Sequence, residues 1–469
     1  MFRSKAKEKR IFTKRRRNRR RFTWLSMIAS ITLFLLALEL LTRIFVDLSG
    51  DRNKFAKKAE LDIAQVYKLN FVPKNTARTN LPQDSLLAQS SLSVGYSLLG
   101  NQKSKYWEID EQGFRDRDPV PLIKPKDEVR IFLLGGSTAF GYGNLSNAAT
   151  ISARLETRLQ QRLDQQQASP QLYKPDLLPY NKAAKQKEIA KPSKIKPGKY
   201  RVINAAVPGY ASGNELAQVA LQILKYKPDL IVLMDGYEDL MLSGDRKATQ
   251  APLVKKSPEN SPNSVGTQLN QLIKLLVNKS YLAQVAEKLT KSQTNNSQTN
   301  FILEEQTSNL VTHLPASASE LQTRVNRYLE HHQQILNLSA ASQVPLVVAI
   351  QPEITGRNPS QLTDTEGEIA KELGRTYINR VRETYPAIIE AAQKLAKGYP
   401  SNIKVIDLYK LTDKYPSPSF IDAIHLNETA NEKVAEQMYY AISGFSKMQV
   451  VPKQAPKPVP RYPRYPARY

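Results

Sequence analysis

The sequence predicts an α/β protein, with a mainly parallel five-stranded sheet covered on both faces by helices and preceded by one transmembrane helix. Three observations predict it. Five short apolar runs alternate with longer amphipathic stretches over most of the chain. A charge-free segment follows a dense cationic block near the N-terminus. The 469 residues, 41% of them hydrophobic, are ample for a sizeable core.

The N-terminal element comes first in the chain. Residues 22–38 carry no charge, and apolar character runs on to Val46, broken only by Glu39 and Arg43. As a helix rising about 1.5 Å per residue, 22–46 would reach about 37 Å, enough for a hydrocarbon core of about 30 Å. Glu39 and Arg43 stand one turn apart and can pair at the membrane boundary, while Trp24 suits the opposite interface. The basic block 14–21 immediately precedes the span. Positive-inside bias therefore keeps the arm 1–21 in the cytoplasm, against anionic lipid head groups, and sends the rest of the chain across the membrane. A cleavable signal peptide is the rival reading, but the stretch 45–50 offers no A-x-A-like site. The expected location is thus the cytoplasmic membrane, single-pass, with the body on the extracytoplasmic side.

Residues 47–105 form a juxtamembrane region, and 106–446 hold the alternating pattern. The runs 129–134, 200–205, 230–234, 346–350 and 403–407 are short and mainly apolar, as buried parallel strands are. Helical spacing marks 150–163, 214–226, 268–289, 320–338, 375–397 and 428–442. Two insertions interrupt the pattern: 167–199, rich in Lys, Pro and Gln, and 245–316, in which 290–312 reads as a polar loop. The tail 447–469 ends in Arg-Tyr-Pro repeats, so from Val451 onward it is expected to be extended rather than packed.

The net charge of +25 invites a nucleic-acid reading, so its location matters. The arm 1–21 has twelve Lys/Arg against Glu8, 174–199 has eight Lys against Asp176 and Glu188, and 447–469 has six Lys/Arg and no acid. Those segments hold nearly all the excess and leave a folded body close to neutral. A specific nucleic-acid partner is not expected, because a groove reader lines one folded face with its charge. The absence of cysteine excludes disulfides, thiolate metal sites, iron–sulfur ligation and a cysteine nucleophile. No cofactor is expected.

The candidate chemistry lies where the strands end. The first core strand runs into Gly135-Gly136-Ser137-Thr138, which puts the Ser137 hydroxyl on a tight turn. The second ends in Val207-Pro208-Gly209-Tyr210, where a glycine lets backbone approach a ligand. The third ends in Asp235-Gly236-Tyr237-Glu238-Asp239, and Asp422-Ala423-Ile424-His425 precedes the last helix. Each has an ordinary turn reading when taken alone. Of four histidines, only His425 has an aspartate three residues upstream and lies outside the helix-like and insertion segments. Asp422 can accept its Nδ1 proton while Nε2 faces a serine, the geometry that activates a nucleophile.

Taken together and in this order, the four blocks resemble those of the SGNH (GDSL-type) hydrolases, membrane-anchored bacterial members in particular. Gly-Gly-Ser-Thr stands for the family's Gly-Asp-Ser block, and Gly236-Tyr237-Glu238-Asp239 stands for Gly-x-Asn-Asp. Asp422-x-x-His425 is the Asp-x-x-His block, and Gly113-Phe114-Arg115 resembles the lead-in of anchored members. The resemblance covers about 106–446 and implies a three-layer α/β/α sandwich. It also implies a triad of Ser137, His425 and Asp422, with Ser137, Gly209 and Glu238 at the oxyanion hole.

One position departs from the pattern with consequence. Glu238 stands where the family has an asparagine that donates to the oxyanion. An ionised carboxylate donates nothing, whereas a protonated one still could. Two functions are therefore expected to compete. The first is a membrane-anchored serine esterase or O-acyl transferase acting on acyl esters of the cell envelope, O-acetylated glycans above all. The second is a catalytically impaired binding or assembly protein of an envelope polysaccharide machine.

Overall fold

The computed structural model of the protein describes residues 66–72, 85–91, 94–242, 310–413 and 417–456, all within one compact unit that begins at Val66. The expected membrane span 22–46, the arm 1–21, the helix expected over 268–289 and the tail beyond 456 lie outside these residues. Among the described residues no helix is long and apolar enough to cross a membrane.

The first described elements form a small sheet of β1 (Leu69–Phe71), β2 (Leu86–Ser91) and β3 (Gly95–Leu98), with β1 parallel to β2 and β3 antiparallel to it. The sequence reading placed no strands in this region. The central sheet is built from β4 (Glu128–Gly135), β5 (Lys199–Asn204), β6 (Leu230–Asp235), β7 (Leu346–Ile350) and β8 (Ile403–Asp407). It is wholly parallel, in the order β8-β7-β6-β4-β5. The residues of β6 and β7 are buried throughout, which is why these strands read as unbroken apolar runs rather than alternating ones.

Helices cover both faces. They are α1 (Ser137–Phe140), α2 (Ile151–Ala168), α3 (Ser212–Gln218), α4 (Ala318–Ala341), α5 (Asp364–Gly398) and α6 (Glu428–Ser443). Helices α2 and α6 pack together on one side, and α3, α4 and α5 share the other. Side-chain caps begin the long ones: Thr150 accepts from the Ala153 amide, Ser317 from Glu320 and Asn427 from Ala430. In α2 the buried residues Ile151, Leu155, Leu159 and Leu163 recur at helical spacing and face the sheet.

Three stretches differ from expectation. Helix α5 begins eleven residues before the expected 375, because Thr363 and Glu366 form a reciprocal capping box and Gly374 bends the chain between two helical segments. The expected helix 214–226 is α-helical only to Gln218, then widens through one π turn and tightens in one 3-10 turn to Tyr226. The tail is not wholly unpaired after Val451. Lys453–Gln454 pair with Leu177–Leu178 of the basic insertion, the Lys453 and Ala455 amides donating to Asp176 and Leu178. Prolines flank this pair at 452 and 456, but the intervening residues keep their donors.

The strand order places the site. β4 lies between β5 and β6, so the chain leaves β4 in one direction to make β5 and crosses back over it to make β6. Such a reversal opens a crevice at the carboxyl ends of the strands. Ser137 follows β4 directly, and Glu238 lies three residues past the end of β6.

Candidate active site

Ser137 opens the single turn α1, and a dedicated set of long-range contacts holds that turn. Arg115, fully enclosed, donates from Nη1 to the carbonyls of Phe140 and Gly141 at 3.0 and 2.7 Å. It also reaches Asn147 Oδ1 from Nε at 3.0 Å and the Tyr67 hydroxyl from Nη2 at 2.9 Å. Asn204, at the end of β5, donates to the carbonyls of Ala139 and Phe140 at 3.2 Å each. From the opposite side, the Thr138 hydroxyl donates to the Ile424 carbonyl at 3.2 Å and so joins α1 to the loop that carries the histidine.

That loop is anchored as firmly. The buried Glu366 carboxylate accepts from the Ser419 and Phe420 amides at 2.8 and 3.2 Å, and Arg357 lies 3.4 Å from it. The Ile421 amide donates to the His425 carbonyl, and the Ile354 amide to Ala423. Asp422 Oδ1 accepts from the Ile424 and His425 amides at 3.0 and 2.8 Å.

These anchors bring the three expected residues into one line. His425 Nδ1 stands 2.5 Å from Asp422 Oδ2, and His425 Nε2 stands 2.7 Å from Ser137 Oγ. A carboxylate only accepts, so the proton sits on Nδ1 and Nε2 is free to accept from the serine. Burial works against the charge on Asp422, but His425 and the two loop amides outweigh it and hold the carboxyl below its ordinary value. The Tyr142 ring stacks on the imidazole, with centroids 4.2 Å apart and planes 25° off parallel. Ser137 is fully buried and His425 nearly so.

The two remaining predicted residues lie in the chain segments that follow β5 and β6. Gly209 has φ +83°, and a Cβ there would lie 2.7 Å from the Tyr96 hydroxyl, so glycine is required on both counts. Glu238 is buried completely, and neither of its carboxyl oxygens has a hydrogen-bond partner. Burial pushes its pKa up to about 8, against the pull of its own amide; Asp239 and Asp235 add repulsion, and the Ser137 amide pulls less strongly the other way. At neutral pH the group is therefore mostly protonated. A Cβ at Gly136 would fall 2.2 Å from Glu238 Oε1, so the carboxyl occupies space that only a glycine leaves open.

Behind Glu238 lies a buried polar network. Ser212 binds both Asp239 oxygens through its amide and hydroxyl, and His331 Nδ1 lies 2.8 Å from that hydroxyl. Asp235 accepts from the Tyr328 hydroxyl at 3.0 Å and pairs with His332 Nε2 at 3.0 Å. Burial, helped by Arg327 and His332, drives His331 down to about 3 and keeps it neutral.

Several residues that shape the site were not singled out in the sequence. Tyr142 and Arg357 follow no motif, Glu366 carries only its capping-box spacing to Thr363, and Tyr96 arrives from β3, far upstream. Only Arg115 was flagged, as part of the lead-in before the first core strand.

Comparison with known proteins identifies the family. The sequence profile of the GDSL-like Lipase/Acylhydrolase family matches residues 131–438, more than half of the chain. Among solved structures, the chain is similar to a catalytic mutant of Axe2, an acetylxylan esterase from Geobacillus stearothermophilus, at 10% identity. That match covers 70% of this chain and 99% of the other, with a TM-score of 0.32. A lipase/acylhydrolase from Enterococcus faecalis is similar at 14% identity over 67% of this chain and 96% of that one, with a TM-score of 0.29. No curated protein matches the chain. By the family match, the chain belongs to the GDSL-like lipases and acylhydrolases.

Proposed function

We propose that the protein is a membrane-anchored serine esterase or O-acyl transferase that uses Ser137, His425 and Asp422 on acyl esters of the cell envelope. The observation that carries this is the continuous line from Ser137 Oγ through both imidazole nitrogens to Asp422, with separations of 2.7 and 2.5 Å. In this reading Ser137 Oγ attacks the ester carbonyl carbon as His425 Nε2 takes its proton, and Asp422 stabilises the resulting imidazolium. The developing oxyanion draws on the Ser137 and Gly209 amides and on the protonated Glu238 carboxyl. Collapse expels the alcohol, which takes the proton back from His425, and leaves an acyl-Ser137 ester. Water then completes hydrolysis, or a second hydroxyl completes transfer, with His425 again moving the proton.

Anchoring and an extracytoplasmic location rest on the apolar span 22–46 and the basic block before it. From that location, esters of envelope polysaccharide are the available substrates, and O-acetylated glycans are the favoured class. A second reading, a binding or assembly protein without turnover, is favoured by one observation. Glu238 faces the Ser137 amide in a site where the serine is fully buried.

A fluorophosphonate and p-nitrophenyl acetate separate the two. An activated Ser137 is labelled covalently and releases nitrophenol, and Ser137→Ala does neither. A wild-type chain inert to both reagents would leave the binding role standing.

A further inference from the structure

We infer that Tyr96, delivered by the small N-terminal sheet, is a positioning residue that aims the Gly209 amide at the oxyanion. The inference rests on the esterase reading above. The Tyr96 hydroxyl donates to the Pro208 carbonyl at 2.7 Å. That carbonyl and the Gly209 N–H belong to one peptide unit, which is planar and trans, so the two groups point in opposite directions. Fixing one therefore fixes the other. A hydrogen bond on the carbonyl also polarises the amide and makes its N–H a better donor.

The loop has little else to hold that plane. Gly209 sits at φ +83°, where glycine has shallow torsional preferences, and the neighbouring backbone bonds hold Val207 and Tyr210 rather than the 208–209 unit. Tyr96 in turn is fixed on several sides. Its ring packs edge-on against Tyr210 at 5.2 Å and Phe71 at 5.3 Å, and the Tyr210 hydroxyl donates back to the Tyr96 carbonyl. Burial, with Glu238 nearby, holds the phenol protonated, so it remains a donor.

Two further facts bear on this role. Tyr96 lies outside the family match at 131–438, so the aid comes from a segment that precedes the matched residues. With a carboxyl at 238 in place of an amide, the site leans more heavily on its backbone donors, and their aim matters more.

The test compares two variants of the full chain on p-nitrophenyl acetate. Tyr96→Phe keeps the ring contacts and removes only the bond to Pro208. Tyr200→Phe removes a hydroxyl that donates to the Lys196 carbonyl at 3.0 Å at the start of β5, and leaves Tyr96 and its bond to Pro208 untouched. Because the Gly209 amide binds the transition state and not the substrate, Tyr96→Phe should lower kcat by about ten- to hundredfold, somewhat less than losing a donor outright, with KM within about twofold. Tyr200→Phe should lose similar thermal stability and keep kcat within about threefold of wild type. Equal losses of kcat in the two variants would reduce Tyr96 to a structural role and overturn the inference. An active wild type whose kcat survives Tyr96→Phe overturns the inference alone. A wild type without turnover overturns the esterase reading, and this inference with it.

Discussion

Replacing Glu238 by glutamine, which has the same shape but cannot ionise, tests how a carboxyl can serve where an amide is expected. The structure buries this group completely, gives it no hydrogen-bond partner and raises its pKa from 4.5 to about 8. At pH 7 roughly nine chains in ten carry the protonated donor, and at pH 9 roughly one in ten does. If only the protonated form assists the oxyanion, wild-type kcat should fall about tenfold per pH unit above 8, until the loss reaches the 10²–10³ typical of a missing donor. Glu238→Gln should show no such alkaline limb, and the variant should overtake wild type above about pH 8.

Stability provides an independent check with the same sign. The folded pKa exceeds the unfolded one, so the folded chain holds a proton that the unfolded chain releases. Stability from this group is complete below about pH 4.5, falls as pH rises towards 8 and levels off above it, a change on the order of 5 kcal/mol. Urea midpoints at pH 5 and pH 8.5 should therefore separate for wild type much more than for Glu238→Gln. A wild-type rate flat from pH 7 to 10, or an alkaline limb that persists in Glu238→Gln, would refute the reasoning.

Two further outcomes are expected. Ser137→Ala and His425→Ala should each abolish turnover without unfolding the chain, and the double variant should be hardly worse, because residues of one relay act as a unit; additive losses in steady-state kinetics would mean the assignment is wrong. Proteolysis of intact spheroplasts should digest the body beyond residue 66 under the topology proposed from the charge asymmetry across 22–46, and protection of the body would contradict that topology.

The central strands were legible because their residues are mostly apolar, without a break in β6 and β7, which are buried throughout, and with a few charged or polar positions in β4, β5 and the edge strand β8. The expected bounds 346–350 and 403–407 coincide with β7 and β8. The strands β1 to β3 were not legible. They are three to six residues long, partly exposed and polar in places, as in Leu-Leu-Ala-Gln-Ser-Ser, so neither continuity nor clean alternation marks them. The site shows the same division. Ser137, Gly209, Glu238, Asp422 and His425 each sit in a short local block, and the fold brings them to one end of the sheet. Their supports act over long separations and leave no local trace: Tyr96 to Pro208, and Glu366 to Ser419 and Phe420. The onset of α5 was there to be read, since Thr363 and Glu366 have capping-box spacing.

The contact between Gly136 and Glu238 changes how the departures from the family's blocks should be counted. Position by position, the chain has lost an acidic residue before its serine and gained one on the neighbouring strand's turn. In space the two changes are one, because a side chain at 136 and the glutamate at 238 would claim the same volume. Their order of introduction is therefore constrained. A glutamate arriving while residue 136 still bore a Cβ would be forced out of its berth, whereas a glycine arriving first leaves a vacancy that the longer side chain can fill. An ancestor or a laboratory lineage passing between the two arrangements should traverse the glycine intermediate, and a return to aspartate at 136 should be tolerated only after residue 238 has shortened.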